Sequence, residues 1–214
     1  MTTDAWARPI AARYPTRFLR AYVRSKIRLD PVYDAVFERI RGSDEPLFDI
    51  GCGIGILALY LRARGVRAGI RGVDHDERKI AIARSVMPDG TFDVADARTA
   101  NHTRGTIVLI DLLHYFHGEE QARILANAAA NANTVIIRDA IRDGSWRYRI
   151  TYMQEMFARA LRWLRADLLH FPTREDVIRP FVGFHVDVVP LHGRTPFNNY
   201  LFVFRRSTEG ITNE

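Results

Sequence analysis

The residues best suited to chemistry lie at positions 48–57, Phe-Asp-Ile-Gly-Cys-Gly-Ile-Gly-Ile-Leu. An apolar run leads into Gly51, Gly53 and Gly55, and a second apolar run follows at once. Glycine serves where the backbone turns with positive φ or where a ligand must approach it closely. The exposed N–H groups of a helix start add partial positive charge. Such a loop suits a nucleotide-like cofactor bound at the carboxyl ends of the strands. A glycine loop alone is a weak signal, but two carboxylates sharpen it. Asp74 closes the next apolar run, 19 residues after Gly55, where it can accept both hydroxyls of a ribose. Asp96, in Val-Ala-Asp-Ala at 94–97, can accept from an exocyclic amine such as that of adenine. Singly, Asp74 reads as well as a helix cap and Asp96 as a turn residue; their joint spacing favours the cofactor.

Alternating elements must position these groups. Strand-like runs fall at 47–50, 69–73, 91–94, 106–110 and 134–137, and helix-like runs at 54–64, 76–85 and 119–132. That order predicts a doubly wound, mostly parallel α/β sheet with helices on both faces. Residues 1–45 form an Arg- and Tyr-rich opening with two expected helices, one after Pro15 and one with Asp30 as N-cap and Pro31 in its first turn. Val32, Val36 and Ile40 give the second its apolar stripe. Residues 140–214 depart from the alternation. Positions 145–169 predict one long helix whose buried face carries Trp146, Ile150, Met153, Phe157, Leu161 and Leu164. A helix starting at Pro172 and Thr173 has Asp176 at capping-box spacing. Runs at 184–189 and 200–204 are close enough for an antiparallel hairpin.

The chain has 214 residues and 47% hydrophobic content, sufficient for one packed domain. No apolar run reaches the roughly 18 residues of a membrane span, and residues 1–20 lack the apolar centre of a secretory signal. A lone Cys52 excludes an internal disulfide and a cysteine metal site, so a cytoplasmic setting is expected. The net charge is +6, and lysine occurs only at Lys26 and Lys79. Arginine excess reads first as codon bias and second as a surface for an anionic partner. No basic block alternates with aromatic residues as in a nucleic-acid-binding module.

On the segment 46–139 the chain resembles class I S-adenosylmethionine-dependent methyltransferases. Their first motif is an acid, one residue, then Gly-x-Gly-x-Gly, matched by Asp49, Gly51, Gly53 and Gly55, with Cys52 inside the loop. The resemblance implies a Rossmann-like sheet of seven strands with an antiparallel C-terminal strand, and extra N-terminal helices. It implies that the loop meets the methionine part of the cofactor, Asp74 the ribose with His75 beside it, and Asp96 and Ala97 the adenine. Asp111, Leu112, Leu113 and His114 occupy the fourth motif. The product would be S-adenosylhomocysteine.

Methyl transfer is an in-line displacement, so the protein must bring the nucleophile close to the methyl carbon. An amine needs little more, whereas a phenol, alcohol or carbon acid also needs a base. His114 is the candidate, with an unperturbed pKa of about 6.5; otherwise it only shapes the pocket wall. Tyr14, Tyr22, Lys26, Tyr33 and Tyr115, with Arg138, Tyr148, Arg149 and Tyr152, are candidates for a small acceptor, planar and anionic if rings and guanidinium groups line its site. Each alone also reads as an ordinary surface or core-edge residue. His102, His170, His185 and His192 show no metal-ligand spacing, and no metal is expected. Positions 22–40 also resemble small methyltransferases of bacterial aryl-polyene pigment clusters. That would imply aromatic methylation on a carrier, with Arg159, Arg162 and Arg165 facing an acidic acyl carrier protein. Three competitors remain: an inactive cofactor-binding scaffold, a nucleic-acid methyltransferase, and a nicotinamide-dependent reductase. The second lacks an Asn/Asp-Pro-Pro-aromatic motif at 111–114, and the third requires Gly-x-Gly-x-x-Gly, which Ile56 breaks.

Overall fold

The computed structural model describes residues 3–100, 104–160, 169–193 and 195–207. Seven strands form one sheet: β1 (Leu47–Ile50), β2 (Ile70–Asp74), β3 (Thr91–Val94), β4 (Thr106–Ile110), β5 (Thr134–Ala140), β6 (Phe184–Pro190) and β7 (Asn199–Arg206). Their order is β3-β2-β1-β4-β5-β7-β6. β1 pairs in parallel with β2 and β4, β4 with β5, and β2 with β3. β7 runs antiparallel to both β5 and β6. This is the expected Rossmann-like sheet with an antiparallel C-terminal strand, and the terminal hairpin inserts its second strand next to β5.

The strands β1, β4 and β5 are almost wholly buried, as parallel strands covered on both faces must be. Alternate side chains separate into two cores. Leu47, Ile70, Val108, Ile136 and Val203 pack toward α4 (Ile56–Ala63), α5 (Glu77–Val86) and the N-terminal helices. Phe48, Ile50, Val73, Leu109, Ile137 and Phe204 pack toward α6 (Gly118–Asn131) and α8 (Arg174–Ile178). The glycine loop, Asp74, Asp96, Asp111 and His114 all follow strand carboxyl ends, so one edge of the sheet gathers them. A cleft at the opposite ends of the strands is lined by Pro46, Phe48, Ile70, Arg71 and Thr91 and includes none of the candidate groups. No helix among the described residues is long and apolar enough to cross a membrane.

Three helices, not two, precede β1: α1 (Thr3–Ala12), α2 (Arg17–Leu29) and α3 (Val32–Ile40). Pro9 lies inside α1 and reads as a breaker, because an interior proline loses a hydrogen bond and clashes with the preceding turn. Burial of Ala7, Ile10 and Ala11 against α2 and α4 overrides it. Asp30 ends α2, while its Oδ1 accepts from Val32 N–H at 3.1 Å to start α3. α8 has both bonds of its Thr173–Asp176 capping box.

The helix after β5, α7 (Trp146–Ala160), is rotated relative to expectation. Trp146, Ile150, Met153 and Phe157 are exposed, and the inward side carries Thr151, buried, with Tyr148 and Glu155 half-buried. Thr151 Oγ1 accepts from Asn198 N–H at 2.9 Å and donates to Arg147 O at 2.9 Å. The helical period was right and its phase wrong, because this helix turns a polar side to the molecule. Leu161, Leu164, Arg162 and Arg165 lie outside the described residues, as do the side chain of Arg159 and all of His102.

Candidate active site

The first strand enters a loop whose three glycines all have positive φ, 81°, 55° and 77° at Gly51, Gly53 and Gly55. At Gly51 a Cβ would also lie 2.8 Å from Leu112 Cδ1, so only glycine lets the loop after β4 pack on this one. At Gly53 a Cβ would meet nothing within 4 Å, which leaves open space over the loop. Tyr14, fully buried, donates its hydroxyl to Ile54 O at 3.2 Å. It therefore braces the loop from below and does not reach an acceptor. Cys52 packs on β2, its Sγ 2.8 Å from where a Cβ at Gly72 would stand. Burial, with Asp49 and Asp74 nearby, pushes its thiol far above the ordinary range, so it is a core side chain of the loop.

Asp74 ties the loop to β2. Its Oδ2 accepts from Gly53 N–H at 3.0 Å and its Oδ1 from Asp76 N–H at 2.9 Å. A carboxylate has about four lone-pair directions, so one on each oxygen remains for two ribose hydroxyls. His75 Nδ1 lies 3.5 Å and Lys79 Nζ 3.9 Å from this carboxylate. Asp49, within β1, is buried. Burial first, then the charge of Asp74, pushes its carboxyl up to about 7. Asp96 is gripped by Arg98, which also reaches Glu120 at 2.8 Å. Arg98 holds the Asp96 carboxyl below the usual range, against a smaller rise from burial.

Past β4, Asp111 adopts φ of 52°, a rare conformation for a residue with a side chain. A 3-10 turn, Leu113–Tyr115, then carries His114. His114 is buried, and its Nδ1 lies 2.6 Å from Asp139 Oδ1 at the end of β5. Asp139 also accepts from the N–H groups of Leu112, Leu113 and Ala140. With the carboxylate accepting from every neighbour, Nδ1 is the donor and Nε2 of the neutral ring keeps its lone pair. Nε2 is buried and has no partner among the described residues. Burial pulls the imidazole down, but the charge and hydrogen bond of Asp139 outweigh it and raise it above the ordinary value. Gln121 steadies the turn, its Nε2 donating to Leu113 O at 2.9 Å and His170 O at 2.6 Å. Phe171 stacks on His114 with centroids 5.3 Å apart, and Tyr148 and Tyr152 meet Phe171 edge-on at 5.7 and 6.2 Å.

The remaining acceptor candidates divide. Tyr115 packs against His114 at 4.0 Å; burial, then Glu155, pushes its hydroxyl up. Lys26 Nζ stands 3.7 Å from Asp30 and 3.8 Å from Asp111. Burial lowers Lys26, and Asp111 leads the charges that raise it overall. Tyr22 is partly exposed beside it. Arg138 is buried in ion pairs with Asp111 and Asp30, which removes it from any anionic acceptor. Arg149 is exposed on α7, and Tyr33 is buried against Tyr60. The guanidinium groups that suggested an anionic acceptor are thus engaged elsewhere or turned outward. Asp139, Gln121 and Glu155 were missed. Asp139 had one legible sign, a carboxylate at the end of a buried strand; the others carried none. Among the described residues no group of three His, Cys, Asp or Glu side chains could hold a metal ion.

Sheet order, glycine loop and acids together define a class I S-adenosylmethionine-dependent methyltransferase. The model of a family described as "Methyltransferase domain" matches residues 19–181, and the chain belongs to that family. No protein of curated function matches it in sequence. Among solved structures it is similar to magnesium protoporphyrin IX methyltransferase (ChlM) from Synechocystis PCC 6803 with bound SAH. That pair has 19% identity and a TM-score of 0.67, covering 95% of this chain and 94% of that one. An O-methyltransferase family protein from Burkholderia thailandensis gives 19% identity and a TM-score of 0.67, over 84% of this chain and 56% of that one. The putative methyltransferase complexed with the Haloferax volcanii activator Trm112 gives 14% and 0.66, over 95% and 96%.

Proposed function

We propose that the enzyme methylates a hydroxyl or an acidic carbon of a small, aromatic acceptor, with His114 as general base. The observation that carries this reading is the buried His114–Asp139 pair, 2.6 Å apart, with no partner for Nε2 among the described residues. A pocket for an amine nucleophile would need no such base. Asp139 fixes the tautomer and holds the imidazolium that forms when Nε2 takes the acceptor proton, a contribution of about 10²–10⁴ in rate. Asp74 holds the ribose hydroxyls, Asp96 and Ala97 receive the adenine, and Asp49 faces the amino acid end. His75, Asp111 and Leu112 border the same cofactor. When bound, the cofactor supplies an electrophilic methyl group on a sulfonium. Tyr115, Tyr22, Lys26, Tyr148 and Tyr152 surround the acceptor. An acidic carrier protein would dock near Arg159, Arg162 and Arg165, and cytoplasmic pigment or secondary metabolism would be the setting. The test is incubation of the full chain with methyl-labelled cofactor and three acceptor sets: small phenols, carrier-bound aromatics and total RNA. Label in a phenol or a carrier-bound aromatic, lost in His114→Gln with S-adenosylhomocysteine binding intact, supports the reading; label only in RNA, or undiminished transfer by His114→Gln, sinks it.

A further inference from the structure

Two buried polar atoms, His114 Nε2 and Glu155 Oε2, lack partners among the described residues, and the two groups are close enough for each to act on the other's charge. The first belongs to the proposed base. The second comes from α7, and nothing in the proposed mechanism uses it. Glu155 reaches this place because of how α7 is seated. Thr151 anchors the helix through Asn198 N–H at 2.9 Å, and Glu155 follows one turn later on the same face. Tyr148 and Tyr152, on the neighbouring positions, pack on Phe171, which stacks on His114. The charges of His114, Asp111 and Lys26 all act on the Glu155 carboxyl, and its own burial is the largest influence, raising it. A buried carboxyl oxygen with no hydrogen bond costs more than the net gain of a made bond, so Oε2 is placed for a donor that arrives with a ligand.

We propose that Glu155 is a second acceptor-binding group, which receives a hydrogen bond from a donor next to the oxygen that is methylated. The preferred acceptor then bears two adjacent hydroxyls, one facing His114 Nε2 and one facing Glu155. This rests on the reading of His114 as the base. The acceptor takes its place between α7 and the 3-10 turn, so α7 yields to admit it. In the step itself the hydroxyl oxygen gains the methyl carbon as the carbon–sulfur bond breaks, and that electron pair leaves with sulfur. The hydroxyl proton passes to Nε2. Glu155 undergoes no covalent change and orients the neighbouring hydroxyl.

The experiment is calorimetric titration of the full chain, saturated with S-adenosylhomocysteine, with catechol, phenol and 2-methoxyphenol. Catechol is expected to bind about tenfold more tightly than phenol, the effect of one hydrogen bond to a charged group and more than the factor of about two that a second equivalent hydroxyl gives by counting. The methoxy analogue should match phenol. Glu155→Leu should bring catechol down to phenol, and Glu155→Gln, which keeps a carbonyl acceptor, should retain part of the preference. No binding of catechol, equal binding of catechol and phenol, or a preference undiminished in Glu155→Leu overturns the proposal. If Glu155→Leu loses S-adenosylhomocysteine affinity or its thermal transition, Glu155→Gln decides, and an unchanged preference there overturns it. The base reading fails separately, when His114→Gln keeps full turnover while the wild-type catechol preference stands.

Discussion

Asp49 and His114 are buried acid and base with opposite needs. Asp49 sits near 7 in the folded protein against about 3.9 in the unfolded chain. Between those values folding takes up a proton, so its contribution to stability is present at low pH and is lost as pH rises through about 7. Asp49→Asn should therefore raise the melting temperature of the ligand-free protein at pH 8, by about 2–4 °C per kcal/mol, and leave it little changed at pH 4; scanning calorimetry at both values checks this. In the proposed function the same carboxylate, once ionised, attracts the cofactor ammonium. Affinity for S-adenosylhomocysteine should rise from pH 6 to pH 8 in the wild type and much less in Asp49→Asn. For His114, whose folded value is raised, kcat/KM should fall as pH drops through that value, because the protonated ring cannot act as base. Asp139→Asn removes the charge that raises it. Its acidic limb should move to lower pH while the rate at pH 8 falls about 10²-fold or more. Asp74→Ala removes two acceptors for ribose hydroxyls and should weaken S-adenosylhomocysteine about 100-fold by calorimetry, with the same fold by circular dichroism.

At the scale of elements, α7 gives the sharpest contrast. Thr151→Val should cost about 1–2 kcal/mol, because Asn198 N–H is left buried without an acceptor. Phe157→Ala, on the exposed side, should change urea stability by less than about 0.5 kcal/mol. The hydrophobic pattern alone ranks these two the other way. Much of the remaining element order was legible. The run at 106–110 is a strand over the same residues, because a parallel strand covered on both faces is a continuous apolar run. The glycine loop was legible because positive φ and close packing both demand glycine. The capping box of α8 was legible because its two side chains are three residues apart. What escaped was set by distant partners: Asp139 matters through a residue 25 positions away, and Gln121 through a carbonyl 49 positions away. α1 escaped as well, because its place is set by packing on α2 and α4 that no local window contains.

Across the whole molecule, the N-terminal helices are fastened to the sheet by charge as well as by apolar contact. Asp30 from the α2–α3 junction, Arg138 from β5 and Asp111 after β4 form one partly buried chain, with Lys26 beside it. Replacing Arg138 with Met leaves Asp30 and Asp111 with Lys26 alone and should cost about 3 kcal/mol in urea unfolding, with little relief from added salt, since buried pairs are poorly screened. Lys26 and Lys79 are the chain's only lysines, and one stands 3.8 Å from Asp111, the other 3.9 Å from Asp74. Apart from the amino terminus, reagents for primary amines therefore find their targets at the working end of the enzyme. Dyes or resins coupled through succinimidyl esters should silence it, peptide mapping should find the adduct on Lys79 reduced by prior loading with S-adenosylhomocysteine, and attachment to a support needs some other handle.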